Sequence, residues 1–381
     1  MIKTGVNHQS NKGFMNPPLY RGSTVLYSNL SEMKHTADDS LKRTEPHYAR
    51  FGTPTTRCFE EAMMELENGH DATLTSSGLA AITTAIQAFV KSGDHILVSD
   101  SVYYPTRRFC ESLKNFNIET EYFDPRLNAG IEGLFRSNTR LVFLESPGSN
   151  TFELTDVPLV ARLCQQYKII SLIDNTWATP LNFKPLTRGV NVSIHSATKY
   201  LNGHSDGLLG VIISDQDHYK AIRESVIRLG QCGNSEEAYQ ALKGLRTLDI
   251  RLRQQSQSAL KIAQFFKSHD LIEDVLHPAL SSGPDHAIWA RDFQGSNGLL
   301  SVIFKDQATQ DQIHEFIESL RLFGLGHSWG GIESLVVPVD LNYRKFGSFN
   351  PAKPVIRFHI GLEAVEDLIE DLNQALKKIR P

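Results

Sequence analysis

The sequence predicts an α/β protein built on a mostly parallel sheet, followed by a smaller α+β C-terminal domain. Two observations carry this expectation. Between residues 95 and 214 the short runs "HILVSD", "IETEYF", "RLVFLES", "IISLID", "VSIHS" and "LLGVIIS" recur with helical patterns between some of them. Apolar, β-branched strands of this kind are those of a parallel sheet covered on both faces. Beyond about residue 245 the texture shifts to longer helices and fewer strands.

Each element has its own warrant. Residues 1–52 are polar and punctuated by "NPPLYRGST" and "RTEPHYARFGTP", so they read as an extended arm that packs against something else. Phe59, Ala62, Met63 and Leu66 recur at helical spacing, and "NGH" ends that helix. "GLAAITTAIQAFVKSGD", "PTRRFCESLKNF" and "DVPLVARLCQQY" are the helical patterns that follow. In the last part "SALKIAQFFKSH" reads as a helix and "LLSVIF" as a strand. Val365, Leu368, Ile369, Leu372, Ala375, Leu376 and Ile379 then share one helical face. The expected division is an arm over 1–52, a large domain over 53–245 and a C-terminal domain over 246–381.

Composition narrows the function. The chain has 381 residues, 40% hydrophobic and 22% charged, with a formal net charge of -4. That balance lacks the basic footprint of a nucleic-acid binder. There is no apolar run of bilayer-spanning length and no secretory pattern at the N-terminus, so a cytoplasmic location is expected. Cys58, Cys110, Cys164 and Cys232 never form a C-x-x-C pair, which argues against a disulfide framework or a thiolate zinc site. His195 and His204 share no simple helix face, and no metal pair is expected from them.

The chemistry centres on Lys199 in "SIHSATKYLNGHSDGLLG", a lone ammonium between two strands. A buried lysine is costly unless it is paired or its pKa falls. An unprotonated lysine can condense with an aldehyde, and pyridoxal 5'-phosphate is the common partner. That cofactor needs a phosphate cup, an acid for its ring nitrogen and a flat partner. "TSSGLAAI" offers Ser77, Gly78 and Leu79 at a helix start, where free N–H groups and the helix dipole favour an anion. Ser196 and Thr198 add hydroxyls, Asp174 ends an apolar strand, and Tyr103 or Tyr104 supplies a ring. "LESPGSN", "IDNTWA" and "HSATK" all fall at carboxyl ends of strands, where such sheets collect function. Taken singly these residues are more often an N-cap, a turn aspartate and a surface lysine. Their order in one chain is what gives them weight.

That ordered set ("YARFGTPT", "TSSGLAAI", "FLESPGSN", "LIDNTWA", "SATKYLNGHSD") resembles the Cys/Met-metabolism family of pyridoxal-phosphate enzymes, over nearly the whole chain. The resemblance implies the aspartate-aminotransferase-like (type I) fold. "SWGGIESL" and "IRFHIGLE" look like the C-terminal motifs of its β-lyases, and γ-acting relatives more often carry leucine where Trp329 stands. By this likeness Lys199 would bond the cofactor aldehyde, Asp174 would pair with the ring nitrogen, and Tyr103 would stack on the ring. Lys199, or Tyr103 as phenolate, would take the substrate's α-proton. Gly78, Leu79, Ser196 and Thr198 would hold the phosphate. Tyr48 and Arg50 match residues that reach the phosphate of a neighbouring subunit, which implies a homo-oligomer, a dimer of dimers in most of the family. Arg357 would grip the substrate α-carboxylate, a contact that suits a planar fork, with Ser328 and Trp329 beside it. The implied substrate is a small sulfur amino acid cleaved at its β-carbon, with γ-carbon chemistry as the alternative. Ser149 stands where the family pattern has asparagine, so no role is carried onto it. Arg107 and Arg108 bring positive charge near the expected pocket, to meet a distal carboxylate or to face solvent.

Overall fold

The computed structural model describes residues 3–5, 11–38, 45–346 and 353–379. Seven strands form the first sheet: β1 (Asp71–Thr75), β2 (His95–Ser99), β3 (Glu119–Phe123), β4 (Thr139–Glu145), β5 (Ile170–Asp174), β6 (Val192–Ser196) and β7 (Gly210–Ser214). Their order is β1-β7-β6-β5-β4-β2-β3. Only β7 runs against its neighbours β1 and β6; the other pairings are parallel. Every one of the six runs read from the sequence is a strand of this sheet. β1 was not read, because "DATLT" has too little apolar character to signal a strand. It forms at the sheet edge because β7 pairs with it residue for residue, and the Glu60 side chain accepts from the Leu74 N–H at 3.3 Å.

Successive strand residues point to opposite faces, and both faces are dry. Val98, Phe143 and Ile194 pack with Ala81, Ile82 and Ile86 of helix Gly78–Gln87. Leu97, Val142, Leu144 and Ile173 pack with Val157, Val160 and Ala161 of helix Val157–Gln166. Since β2, β4, β5 and β6 run the same way, Ser99, Glu145, Asp174 and Ser196 end along one edge of the sheet. The site forms there.

The second sheet contains β8 (Ile272–Leu276), β9 (Leu299–Phe304), β10 (Gly324–Leu325), β11 (Leu335–Val339) and β12 (Val355–His359), in the order β10-β11-β12-β9-β8. Of the predicted apolar stripe, all but Ile369 is buried, against Phe304, Phe316 and Phe358. The expected boundary at 245 falls inside one continuous 33-residue helix, Ser235–Lys267. Its first half, Ala238 to Leu252, packs under the large sheet, and its second half, Ala259 to Phe266, packs under the small one. The change of texture in the sequence marks a change of packing partner along this helix.

Two loops rest on it. A Cβ placed on Gly244 would come within 2.2 Å of the Asn202 carbonyl oxygen, so this glycine lets the helix touch the loop after β6. Eleven residues on, Gln255 donates its side-chain amide to the Gly331 carbonyl at 2.7 Å. The described part of the arm is not extended throughout: it forms a helix over Leu30–Asp38 and a bridge between Thr24 and Tyr48, and it leaves Phe14, Leu26 and Leu30 exposed. No helix among the described residues is long and apolar enough to cross a membrane.

Candidate active site

Lys199 lies in a compact turn directly after β6. Its N–H donates to the Ser196 carbonyl at 3.1 Å, and its carbonyl accepts from the Gly203 N–H at 2.8 Å. The ammonium donates to Ser328 Oγ at 2.8 Å and stands 5.4 Å from the centre of the Trp329 ring. Burial, and then the nearby Arg357 charge, lower its pKa from 10.5 to about 8. A dry site thus makes the amine easier to deprotonate, the condition a nucleophilic lysine requires. Gly330 explains how Ser328 comes so near: its φ is +86°, and a Cβ there would lie 2.7 Å from the Tyr200 nitrogen. Trp329 packs against the Tyr200 ring with centroids 5.4 Å apart.

Asp174 ends β5 and is buried. It accepts from the Thr176 N–H at 3.0 Å and from the Thr176 hydroxyl, whose oxygen in turn accepts from the Ser196 N–H at 2.8 Å. This ties the ends of β5 and β6 together. Burial holds the Asp174 carboxyl above the usual range, with the Thr176 hydrogen bonds opposing. No cation forms a salt bridge with it among the described residues, and a protonated pyridine nitrogen would supply one.

The start of helix Gly78–Gln87 is open to an anion. Ser77 accepts from the Ala80 N–H at 3.2 Å, while the N–H groups of Gly78 and Leu79 meet no acceptor among the described residues. A Cβ on Gly78 would come within 2.4 Å of Ser196 Cβ and 2.6 Å of its hydroxyl oxygen, so Ser196 Oγ sits at the same helix end. These residues fit a phosphate, as the acid and the amine fit the ring nitrogen and the aldehyde. Thr198 is differently engaged: its hydroxyl accepts from the Leu209 N–H at 3.1 Å and donates to the Leu209 carbonyl at 3.4 Å. Gly78→Ala will lower cofactor affinity by about 10-fold or more, because the methyl must displace Ser196 from the helix start. Titration of apoenzyme with pyridoxal phosphate measures this.

Arg357 on β12 donates from Nη1 to Asn150 Oδ1 at 3.3 Å, and from Nη2 to the carbonyls of His327 (2.6 Å) and Ser328 (3.3 Å). Its Nε has no partner, no carboxylate pairs with it among the described residues, and burial lowers its pKa to about 10. A half-buried guanidinium with no carboxylate partner is suited to a substrate carboxylate. Arg357→Ala will raise the KM for amino-acid substrate by ~30-fold or more while the protein keeps its colour. Loss of the cofactor in this variant would show that the arginine serves the cofactor instead.

Tyr103 caps helix Tyr104–Ser112 and leaves 47% of its surface exposed. Its N–H donates to Glu145 Oε2 at 2.6 Å, and Glu145 ends β4 in register with Asp174. Burial and the Glu145 and Asp174 carboxylates raise the Tyr103 phenol above its ordinary pKa. That direction favours Lys199 over a Tyr103 phenolate as proton acceptor. Tyr104 packs its ring on Tyr343 at 4.8 Å.

The rest of the expected set lies apart. Within one chain neither Tyr48 nor Arg50 contacts the Lys199 cluster: Arg50 donates to the Ile227 carbonyl at 3.2 Å and lies 4.3 Å from the Phe51 ring. Arg107 is 1% exposed, ion-paired with Asp100 and stacked 3.7 Å from the Tyr122 ring, so it is already neutralised. Arg108 is exposed. Three residues went unread in the sequence. Glu145 and Asn150 lie in the "ESPGSN" motif itself, and Thr176 in "IDNTWA" links the two strand ends.

A lysine softened by burial, an acid one strand away and an anion-ready helix start, all on the carboxyl edge of a mixed seven-stranded sheet, place the chain among the type I pyridoxal-phosphate enzymes. The comparisons agree. The family described as Cys/Met metabolism PLP-dependent enzyme matches residues 1–377, and the chain belongs to it. The cystathionine beta-lyase of Escherichia coli is 37% identical over 100% of this chain and 98% of its own. The L-alanine/L-glutamate racemase of Wolbachia pipientis is 36% identical over 100% of this chain and 96% of its own. The crystal structure of a cystathionine gamma-lyase from Lactobacillus plantarum superposes with a TM-score of 0.90 at 28% identity, covering 99% of this chain and 97% of that one.

Proposed function

We propose that the enzyme is a carbon–sulfur β-lyase that cleaves L-cystathionine to homocysteine, pyruvate and ammonia. The observation that carries this is the placement of one softened amine, Lys199, against Ser328 and Trp329, with the Arg357 fork bonded to the carbonyl of the same Ser328. An α-amino acid anchored by its carboxylate on Arg357 presents its α-hydrogen beside that amine. When bound, pyridoxal phosphate draws electrons from the α-carbon, and Asp174 keeps its ring nitrogen protonated. Lys199 takes the α-proton, a contribution typically worth ~100- to 10,000-fold. The Cβ–S bond then breaks, the sulfur leaves as the homocysteine thiol, and water converts the three-carbon remainder to pyruvate and ammonia. Homocysteine is the thiol from which methionine is made, so this reading puts the enzyme in methionine biosynthesis.

The same reading assigns Tyr103 to the cofactor ring, and Gly78, Leu79 and Ser196 to its phosphate, with Thr198 bracing the loop. It assigns Ser328 and Trp329 to the substrate. Tyr48 and Arg50 complete the site of a neighbouring copy in a homotetramer. Residues 53–245 then bind the cofactor, residues 246–381 carry the carboxylate clamp, and the protein works in the cytoplasm.

Product analysis with L-cystathionine tests the reaction. Pyruvate with homocysteine is expected; 2-oxobutyrate with cysteine would overturn β-cleavage in favour of γ-cleavage. A second reading comes from the racemase relative, and conversion of L-alanine to D-alanine faster than pyruvate release would favour it.

A further inference from the structure

Position 149 carries serine where the family pattern has asparagine, yet the structure places an amide one residue later. Asn150 adopts a left-handed backbone with φ +66°, a conformation asparagine tolerates better than most residues. Its carbonyl is pinned by the Ser301 hydroxyl at 2.6 Å. So turned, its Oδ1 accepts from Arg357 Nη1 at 3.3 Å. Its side chain also lies beside the Tyr343 phenol, where it opposes the rise that burial gives that group's pKa. Tyr343 belongs to a strap that crosses from the small sheet to the large one and is firmly held. Arg344 bonds Asp100 Oδ2 at 2.9 Å and Glu153 Oε1 at 2.8 Å, and the N–H groups of Lys345 and Phe346 both reach Asp100 at 2.9 Å.

We propose that Asn150 is a positioning residue for the substrate carboxylate, holding the Arg357 fork in its receiving orientation. The inference rests on the reading of Arg357 as the carboxylate clamp. Two carbonyls occupy Nη2 and the amide takes one N–H of Nη1, which leaves the second Nη1 N–H for an incoming anion. A neutral amide oxygen orients the guanidinium without cancelling its charge. A carboxylate at the same place would compete with substrate.

The test is a pair of ligands differing only by the carboxylate, glycine and methylamine, titrated into holoenzyme and followed by the cofactor's visible absorbance. Asn150→Gly keeps the backbone free to adopt a positive φ and will weaken glycine about 10-fold while leaving methylamine unchanged. Asn150→Asp, of the same shape, will weaken glycine further. In the double variant with Arg357→Ala, Asn150→Gly will add nothing, since both act through one contact. Equal losses for glycine and methylamine, no loss for glycine, or additive losses would each overturn the proposal. If Arg357→Ala leaves glycine binding intact, the clamp reading fails and Asn150 with it. If Arg357→Ala weakens glycine and Asn150→Gly does not, the proposal about Asn150 fails alone. Neither result depends on which carbon–sulfur bond the enzyme breaks.

Discussion

Lys199→Ala will give a folded, colourless protein whose kcat/KM on L-cystathionine is at least ~1,000-fold lower, because one amine serves both as the attachment point and as the proton acceptor. Absorbance after reduction with borohydride and steady-state pyruvate release measure the two losses. A variant that kept a reducible visible band would place the attachment elsewhere. The same residue leaves a thermodynamic signature in the apoenzyme. Its pKa falls from an ordinary 10.5 to about 8 in the fold. Between those values the unfolded chain holds a proton that the native one has released. Stability therefore rises with pH across that interval, and below about 8 the native state carries a poorly solvated charge. Wild-type apoenzyme will gain melting temperature relative to Lys199→Ala between pH 8 and 10, and parallel curves would contradict the lowered pKa.

Asp174→Asn will lower kcat by ~100- to 1,000-fold, the usual scale for removing one preorganised electrostatic partner, with little change in fold. The amide is isosteric, and its oxygen can keep both Thr176 hydrogen bonds. What it lacks is the charge that keeps a ring nitrogen protonated. Since burial alone pushes the Asp174 carboxyl up, the apo variant should melt no lower than wild type at neutral pH. Asp174→Glu retains charge and will recover part of the rate. A fully active Asp174→Asn would remove this residue from the cofactor's partners.

The legible part of this fold was the part with periodicity. The strands from 95 to 214 and the stripe from Val365 to Ile379 announce themselves, because burial on a defined face demands apolar residues at a fixed spacing. β1 was invisible, since pairing with β7 rather than its own composition makes it a strand. The helix through residue 245 was read as a boundary because two halves with different partners have different composition. In the site, residue types with a single demanding chemistry, such as Lys199, Asp174 and Arg357, stood out, and the structure brings these three into one region. Asn150 and Glu145 did not, because a hydrogen bond from a peptide N–H or to a guanidinium leaves no pattern in one sequence. The charge on Arg107 was legible, but its neutralisation by Asp100 was not.

Gly244 and Gln255 sit eleven residues apart on helix Ser235–Lys267, close to three whole turns and about 16 Å along the axis. One touches the loop bearing the amine, the other the loop bearing Ser328 and Trp329. The rod therefore works as a ruler, setting the gap between the loop of Lys199 and the loop of Ser328 by counting turns. Inserting a single residue between those marks rotates them about 100° out of phase and would separate the two loops without touching either.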